Sequence, residues 1–261
     1  HGTNMKTLLK NCTLVLADGC RQDTLEITDS RITYIGPERR EFAADRIIDA
    51  ADRLVLPGFI DLHSNGLAGF DCSNGLYTSD GFSTKAEDYV RGMEQAAQAY
   101  AANGTTAVLL SSIATPFDQL LQVFGHFGGY RVSEAASFLV KNVLAGLYIE
   151  GTFMKDPAFR GAHNSDYFIR PDIAIFEQLQ TQAAGLIAVV NVVPEWGDAA
   201  WNLMQHLQTQ GVVIACGHSG ADNLLYEEAV RHGMRLAVHL FNGPTPVSFK
   251  SFNRGAALEA I

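Results

Sequence analysis

Leu56-Pro57-Gly58-Phe59-Ile60-Asp61-Leu62-His63-Ser64-Asn65 is where the pattern of this chain changes. Before it, residues 5–56 read as a small β module. Its runs are Thr13-Leu14-Val15-Leu16, Thr24-Leu25-Glu26-Ile27 and Arg31-Ile32-Thr33-Tyr34-Ile35, divided by the turn signals Asp18-Gly19, Asp29-Ser30 and Gly36-Pro37. After it, apolar runs that end in polar residues alternate with longer helical stretches. The runs span 54–63, 104–112, 143–151, 185–195, 211–219 and 235–243, with helical patterns at 86–103, 176–184, 199–210 and 221–232. Alternating strand and helix predicts a parallel sheet covered by helices. Thr106-Ala107-Val108-Leu109-Leu110 and Leu186-Ile187-Ala188-Val189-Val190 are almost wholly apolar, as strands buried on both faces must be.

The expected fold is therefore α/β. Six strand-helix units are present, and a closed (β/α)₈ barrel takes about 250 residues. Only about 200 follow the β module. This predicts residues 57–261 as a barrel lacking its last two strands, with residues 5–56 as a separate module. An open doubly wound sheet is the alternative, but no GxGxxG or Walker loop follows the first strand.

Composition narrows the function. The 261 residues are 47% apolar and 18% charged, as suits a compact enzyme. A net charge of -9 argues against a nucleic-acid partner, which needs clustered Lys and Arg. One local cation would still serve a small phosphorylated substrate. Cys12, Cys20, Cys72 and Cys216 form no CxxC pair and read as reduced thiols of a cytoplasmic protein. No apolar run reaches the roughly 20 residues of a membrane helix, and no secretory signal is visible. His1-Gly2-Thr3-Asn4 reads as an expression scar, so His1 is set aside.

The polar residues at the strand ends are the candidates for chemistry, because barrel active sites lie at that mouth. The period of two puts Asp61, His63 and Asn65 on one side of the first strand. Each is also compatible with an ordinary strand-end turn. Glu150 ends the run from Val143 to Ile149, where a carboxylate costs several kcal/mol unless paired or bound to a cation. His218 and His239 end two further runs. Singly, each of these three reads as a satisfied core group; together they match a catalytic zinc ligand set, two imidazoles and a carboxylate. His163, in Arg160-Gly161-Ala162-His163-Asn164, reads as a substrate contact or an exposed loop residue. Lys250 and Arg254 read as a phosphate clamp or a solvated pair. His126, His206, His232 and Cys216 read as structural.

These stretches carry a family resemblance. Leu56-Pro57-Gly58-Phe59-Ile60-Asp61 with His63, and Gly104-Thr105-Thr106, resemble the first two barrel strands of the amidohydrolase superfamily. Gly146-Leu147-Tyr148-Ile149-Glu150-Gly151, Gly161-Ala162-His163-Asn164, Gly217-His218-Ser219 and His239-Leu240-Phe241-Asn242 resemble the N-acetylglucosamine-6-phosphate deacetylases, in that family's order. The resemblance implies Glu150, His218 and His239 as principal ligands of a divalent metal, zinc being expected. It puts His63 and Asn65 at a second metal position. It implies His163, Asn242 and Gly243 as contacts to the sugar and acyl group, with His163 stabilising the oxyanion. Lys250 falls near an arginine that reaches the phosphate of a neighbouring subunit's substrate, which implies a homodimer. Thr152 stands where a proline is usual, and Gly243-Pro244 replaces a small residue and methionine. The family's catalytic aspartate would lie beyond Ile261, so weak catalysis is expected of these 261 residues alone.

The leading expectation is a metal-dependent deacetylase acting on N-acetylglucosamine 6-phosphate, with neither nucleic acid nor membrane as partner. Another amidohydrolase, for a different N-acyl group or a deamination, is the enzymatic alternative. A truncated, non-catalytic barrel is the other.

Overall fold

The fold is that of a computed structural model and is described for residues 5–239. The chain divides into two compact units, His1–Gly58 and Phe59–Ile261.

The first unit is a five-stranded sheet. Its long strand β1 (Lys6–Leu16) pairs antiparallel with β2 (Gly19–Thr28), which pairs with β3 (Arg31–Gly36). Along its other edge β1 pairs in parallel with β4 (Arg46–Asp49) and then β5 (Leu54–Val55). Cys12, Leu14, Leu25 and Ala50 form its core. Fully buried Glu26 is neutralised by Arg39, whose guanidinium also lies 4.0 Å above the Tyr34 ring.

The second unit begins with β6 (Phe59–Ser64) and the small antiparallel sheet β7 (Phe70–Asp71), β8 (Gly75–Thr78) and β9 (Gly81–Ser83). Helix α1 (Ala86–Ala102) leads to β10 (Thr105–Ser112), and α2 (Phe117–Val132) with α3 (Phe138–Val143) leads to β11 (Leu144–Phe153). Then follow α4 (Ile173–Gln182), β12 (Ile187–Val192), α5 (Asp198–Thr209), β13 (Val213–Cys216), α6 (Asn223–Arg231) and β14 (Met234–Ala237). The sheet order β14-β13-β12-β11-β10-β6 is sequential and every pair is parallel. A doubly wound sheet reverses its order at a switch point; this one does not, so the barrel topology stands.

Two faces result. Tyr89, Met93, Phe124, Phe127, Phe153 and Phe176 belong to the large core under the helices. Leu109, Tyr148, Val189, Ala215 and Val238 pack together on the other, inner face. Tyr148 and Glu150 share that face by the period of two. Side-chain caps define several helix starts: Asp172 accepts from the Ala174 and Ile175 N–H groups, and Asp222 from Leu225 N–H.

Three features differ from the expectation. The run 54–63 is two strands rather than one, because Pro57 has no N–H for a ladder and Pro57-Gly58 breaks it. The hairpin sheet of β7, β8 and β9 was not foreseen, its strands being too short for a periodic signal. Nor was α2, whose Gly125, Gly128 and Gly129 lower its intrinsic helix propensity. Its packing supplies the reason for one of them: a Cβ on Gly128 would stand 2.5 Å from the Ala183 carbonyl carbon.

Candidate metal centre

Glu150 is 3% exposed on the inner face of β11, and its two carboxylate oxygens meet four imidazoles. Oε1 lies 2.8 Å from His239 Nε2 and 3.2 Å from His218 Nε2. Oε2 lies 3.3 Å from His63 Nε2 and 3.4 Å from His163 Nε2. His63 comes from β6, His163 from the loop between β11 and α4, His218 from the turn after β13, and His239 from the turn after β14. Burial works to raise the Glu150 carboxyl, but the four imidazoles gathered around it outweigh that and hold the group well below the usual carboxylate range. The bond to Glu150 in turn raises His239.

The ring nitrogens turned away from Glu150 decide what these histidines can do. His218 Nδ1 lies 2.9 Å from the Phe159 carbonyl oxygen, which can only accept, so Nδ1 bears the proton. A neutral His218 therefore turns the Nε2 lone pair toward an anionic oxygen 3.2 Å away. Two lone-pair bearers so placed need a cation or a proton between them. His163 is the reverse case. The Ala114 N–H donates to His163 Nδ1 at 3.0 Å, so the proton of its neutral ring sits on Nε2 and points at Oε2. His163 is thus built as a hydrogen-bond donor, and His218 as an electron-pair donor whose second nitrogen is anchored as metal-binding imidazoles are.

The spacing suits a small divalent cation. Zinc bonds of about 2.0–2.1 Å in a tetrahedron separate neighbouring ligand atoms by about 3.3–3.4 Å. The 2.8–3.4 Å contacts around Glu150 are near that range. The groups His63–Glu150–His239 and Glu150–His163–His218 each bring their ligand atoms within 4.8 Å of one another, so His218 and His239 fall in different groups that share Glu150. Because His163 Nε2 carries a proton, the available donors are Oε1 with His218 and His239, and Oε2 with His63. The His218 and His239 rings stand perpendicular, 5.0 Å apart.

Tight backbone geometry underlies this arrangement. His218 and His239 both adopt left-handed conformations, φ +57° and +51°, costing of order 1–3 kcal/mol each. Gly151 leaves the space in which Ala114 reaches His163. A Cβ there would stand 2.2 Å from Ala114 N and 2.6 Å from His163 Nδ1. Gly151→Ala is therefore expected to break that hydrogen bond and cost about 1–3 kcal/mol by overpacking. Long-range nitrogen-proton NMR correlations of the His163 ring should show an Nε2–H tautomer in the parent and its loss in the variant. An unchanged His163 ring would contradict this reading.

The other expected residues fall as follows. Asn65 donates to the Ser111 carbonyl at 3.0 Å, and Asp61 accepts from the His63 backbone N–H at 3.0 Å. His206 pairs with Glu177, and His232 pairs with Glu228 while stacking on Trp201. His126 Nε2 is buried without a partner among the described residues. Cys216 is buried in the core. Asn242, Gly243, Lys250 and Arg254 lie outside the described residues. Two residues that sequence reading missed, Asn191 and Glu195, contact the backbone around the His218 turn. The only sequence signal for them was their position at the end of a strand run.

No family model matches the chain. It is 28% identical over 222 residues to an N-acetylglucosamine-6-phosphate deacetylase of Bacillus subtilis (strain 168), covering 84% of this chain and 52% of the relative. It is 28% identical over 248 residues to that of Lysinibacillus sphaericus, covering 93% of this chain and 58% of the relative. The Homo sapiens protein of the same name is 27% identical over 246 residues, 90% of this chain and 54% of the relative. The chain thus spans about half the length of the curated relatives it matches. Among solved structures, it superposes on the N-acetyl-D-glucosamine-6-phosphate deacetylase of Mycobacterium smegmatis with TM-score 0.74 at 24% identity, covering 98% of this chain and 65% of that one. For the Pasteurella multocida enzyme the TM-score is 0.77 at 20% identity, covering 98% and 62%. These superpositions establish the fold, a portion of a (β/α)₈ barrel. The sequence relatives carry the same name as the resemblance read from the motifs.

Proposed function

We propose that the barrel belongs to a divalent-metal-dependent deacetylase that hydrolyses the N-acetyl amide of an amino sugar phosphate, with N-acetylglucosamine 6-phosphate as substrate. The observation that carries the metal reading is His218: its Nδ1 lies 2.9 Å from the Phe159 carbonyl oxygen, so in the neutral ring the Nε2 lone pair faces the Glu150 carboxylate 3.2 Å away. The deacetylase reading is supported by the relatives' shared name. Glu150, His218 and His239 would hold the principal cation, and zinc suits their nitrogen and oxygen donors. His63 would serve a second, weaker position, with Asn65 beside it. When bound, the cation would polarise the acyl carbonyl and activate the attacking water.

The chain's own residues have distinct tasks in the hydrolysis, which breaks the amide C–N bond and yields acetate and the free amine. Glu150 brings the negative charge that makes the pocket cation-selective. His163 offers Nε2–H as a donor to the acyl oxygen as it gains charge. Its 3.4 Å contact to Oε2 is long for a hydrogen bond, so little is lost when that proton turns to substrate. Ala114 keeps Nδ1 occupied and so keeps the proton on the useful nitrogen. Asn242 and Gly243 would contact the sugar and its acyl group. Lys250 would reach the phosphate of a neighbouring subunit's substrate in a homodimer. Four unpaired cysteines support a reducing, cytoplasmic setting, and no described helix is long and apolar enough to cross a membrane.

Zinc titration with elemental analysis tests the site. Stoichiometry near one is expected at limiting metal, with a second ion entering more weakly; two equally tight ions would contradict the assignment. The substrate is tested by acetate release from phosphorylated and unphosphorylated N-acetyl amino sugars. The assay uses both the 261-residue chain and the chain continued by the segment its relatives possess beyond the matched half. Weak release by the former, and phosphate-dependent turnover by the latter, are expected. Equal rates with and without phosphate would remove the phosphorylated sugar as substrate.

A further inference from the structure

We propose that Asn191 and Glu195 are positioning residues that set metal affinity by clamping the turn that carries His218. The inference rests on the metal reading above. Strand β13 ends at Cys216, and the last paired residues of β12 and β13 are Asn191 and Ala215. Gly217 therefore lies just past the backbone ladder, where its N–H and C=O would otherwise be orphaned. The fully buried Asn191 side chain takes over from the ladder. Its Oδ1 accepts the Gly217 N–H at 2.9 Å, and its Nδ2 donates to the Gly217 carbonyl at 3.2 Å and to the Glu150 carbonyl at 3.0 Å. One amide thus ties the backbone of one proposed ligand to the residue preceding another.

Glu195 grips the far side of the same turn. It stands in the short 3₁₀ segment Pro194–Trp196 directly after β12, and its Oε1 accepts the Gly220 N–H at 2.6 Å. The segment is itself tied down, since Lys155 Nζ donates to the Glu195 carbonyl at 2.6 Å. His218 sits between these anchors with φ +57°. The turn cannot slide, because a Cβ on Gly217 would stand 2.4 Å from Val238 Cβ, and one on Gly220 2.2 Å from the Phe159 ring. Phe159 is also the residue whose carbonyl holds His218 Nδ1. Residues that orient ligands in this way typically change metal affinity by about 10–100-fold.

The test is cobalt(II) binding, followed by its visible absorption and by competition with a chelator, in the parent, Asn191→Leu, Glu195→Ala and Glu195→Gln. Leucine keeps the bulk of Asn191 and removes its three hydrogen bonds. Glutamine keeps an acceptor for Gly220. We expect cobalt affinity to fall about 10–100-fold in N191L and E195A and to return to within about 3-fold of the parent in E195Q. A destabilised control, Leu179→Ala under α4, should keep the parent affinity and spectrum. Parent-like affinity in both N191L and E195A would overturn the proposal, as would an equal loss in L179A. Equal losses in E195A and E195Q would overturn the clamp through Glu195. Should N191L fail to fold, the Glu195 pair decides alone. No cobalt binding by the parent would instead overturn the metal reading itself.

Discussion

Glu150→Gln is expected to lower zinc affinity by more than about 100-fold, beyond the range found for residues that merely orient ligands. The carboxylate is the only anionic group among the five side chains gathered here, and both of its oxygens are engaged. A neutral amide removes the charge and turns an NH₂ toward nitrogens whose lone pairs should face a cation. Thermal unfolding gives an independent readout. Zinc at about 100 times its dissociation constant stabilises the folded state by about 2.7 kcal/mol. For a unit of roughly 200 residues that corresponds to a Tm rise of about 5–10 °C. The parent should show this rise and E150Q should not. Zinc binding by E150Q within about 3-fold of the parent would remove Glu150 from the centre of the site.

His163→Ala is expected to separate metal binding from turnover. With Nδ1 held by Ala114, His163 can only donate through Nε2 in its neutral form. Loss of one such donor typically costs about 10²–10³ in kcat. Acetate release by the continued chain should fall by that factor while zinc affinity stays within about 3-fold. His163→Gln, whose amide N–H reaches about as far as Nε2, should recover part of the rate. Collapse of zinc affinity in H163A would instead make His163 a ligand, and the tautomer assignment would be wrong.

Much of this was legible because the signals are local. Apolar runs ending in Glu150, His218 and His239 mark strands whose ends face a common mouth, and the six strand-helix units can be counted without long-range information. Pro57-Gly58 was legible as a break and as the edge of the β module, whereas the run 54–63 read along the chain as one strand and is two. Helix α2 was hidden by Gly128, which lowers helix propensity and is accommodated through its close approach to Ala183 on the neighbouring element. A requirement of that kind arises only from packing.

By itself, the sequence determined the alternation of strand and helix, the strand-end placement of the chemical residues, and the identity of the buried carboxylate. Periodicity and the cost of burying charge act on each residue within its own segment, so those features can be read along the chain. The tertiary structure alone decided which nitrogen of the His218 and His163 imidazoles is free. That depends on the Phe159 carbonyl and the Ala114 N–H, 59 and 49 residues away along the chain from the rings they meet. It also brought His163 to Glu150 from a loop, and set Asn191 between the backbones of Glu150 and Gly217. A proton's place on a ring and the tension in a turn are properties of neighbours in space, and no spacing along the chain encodes them.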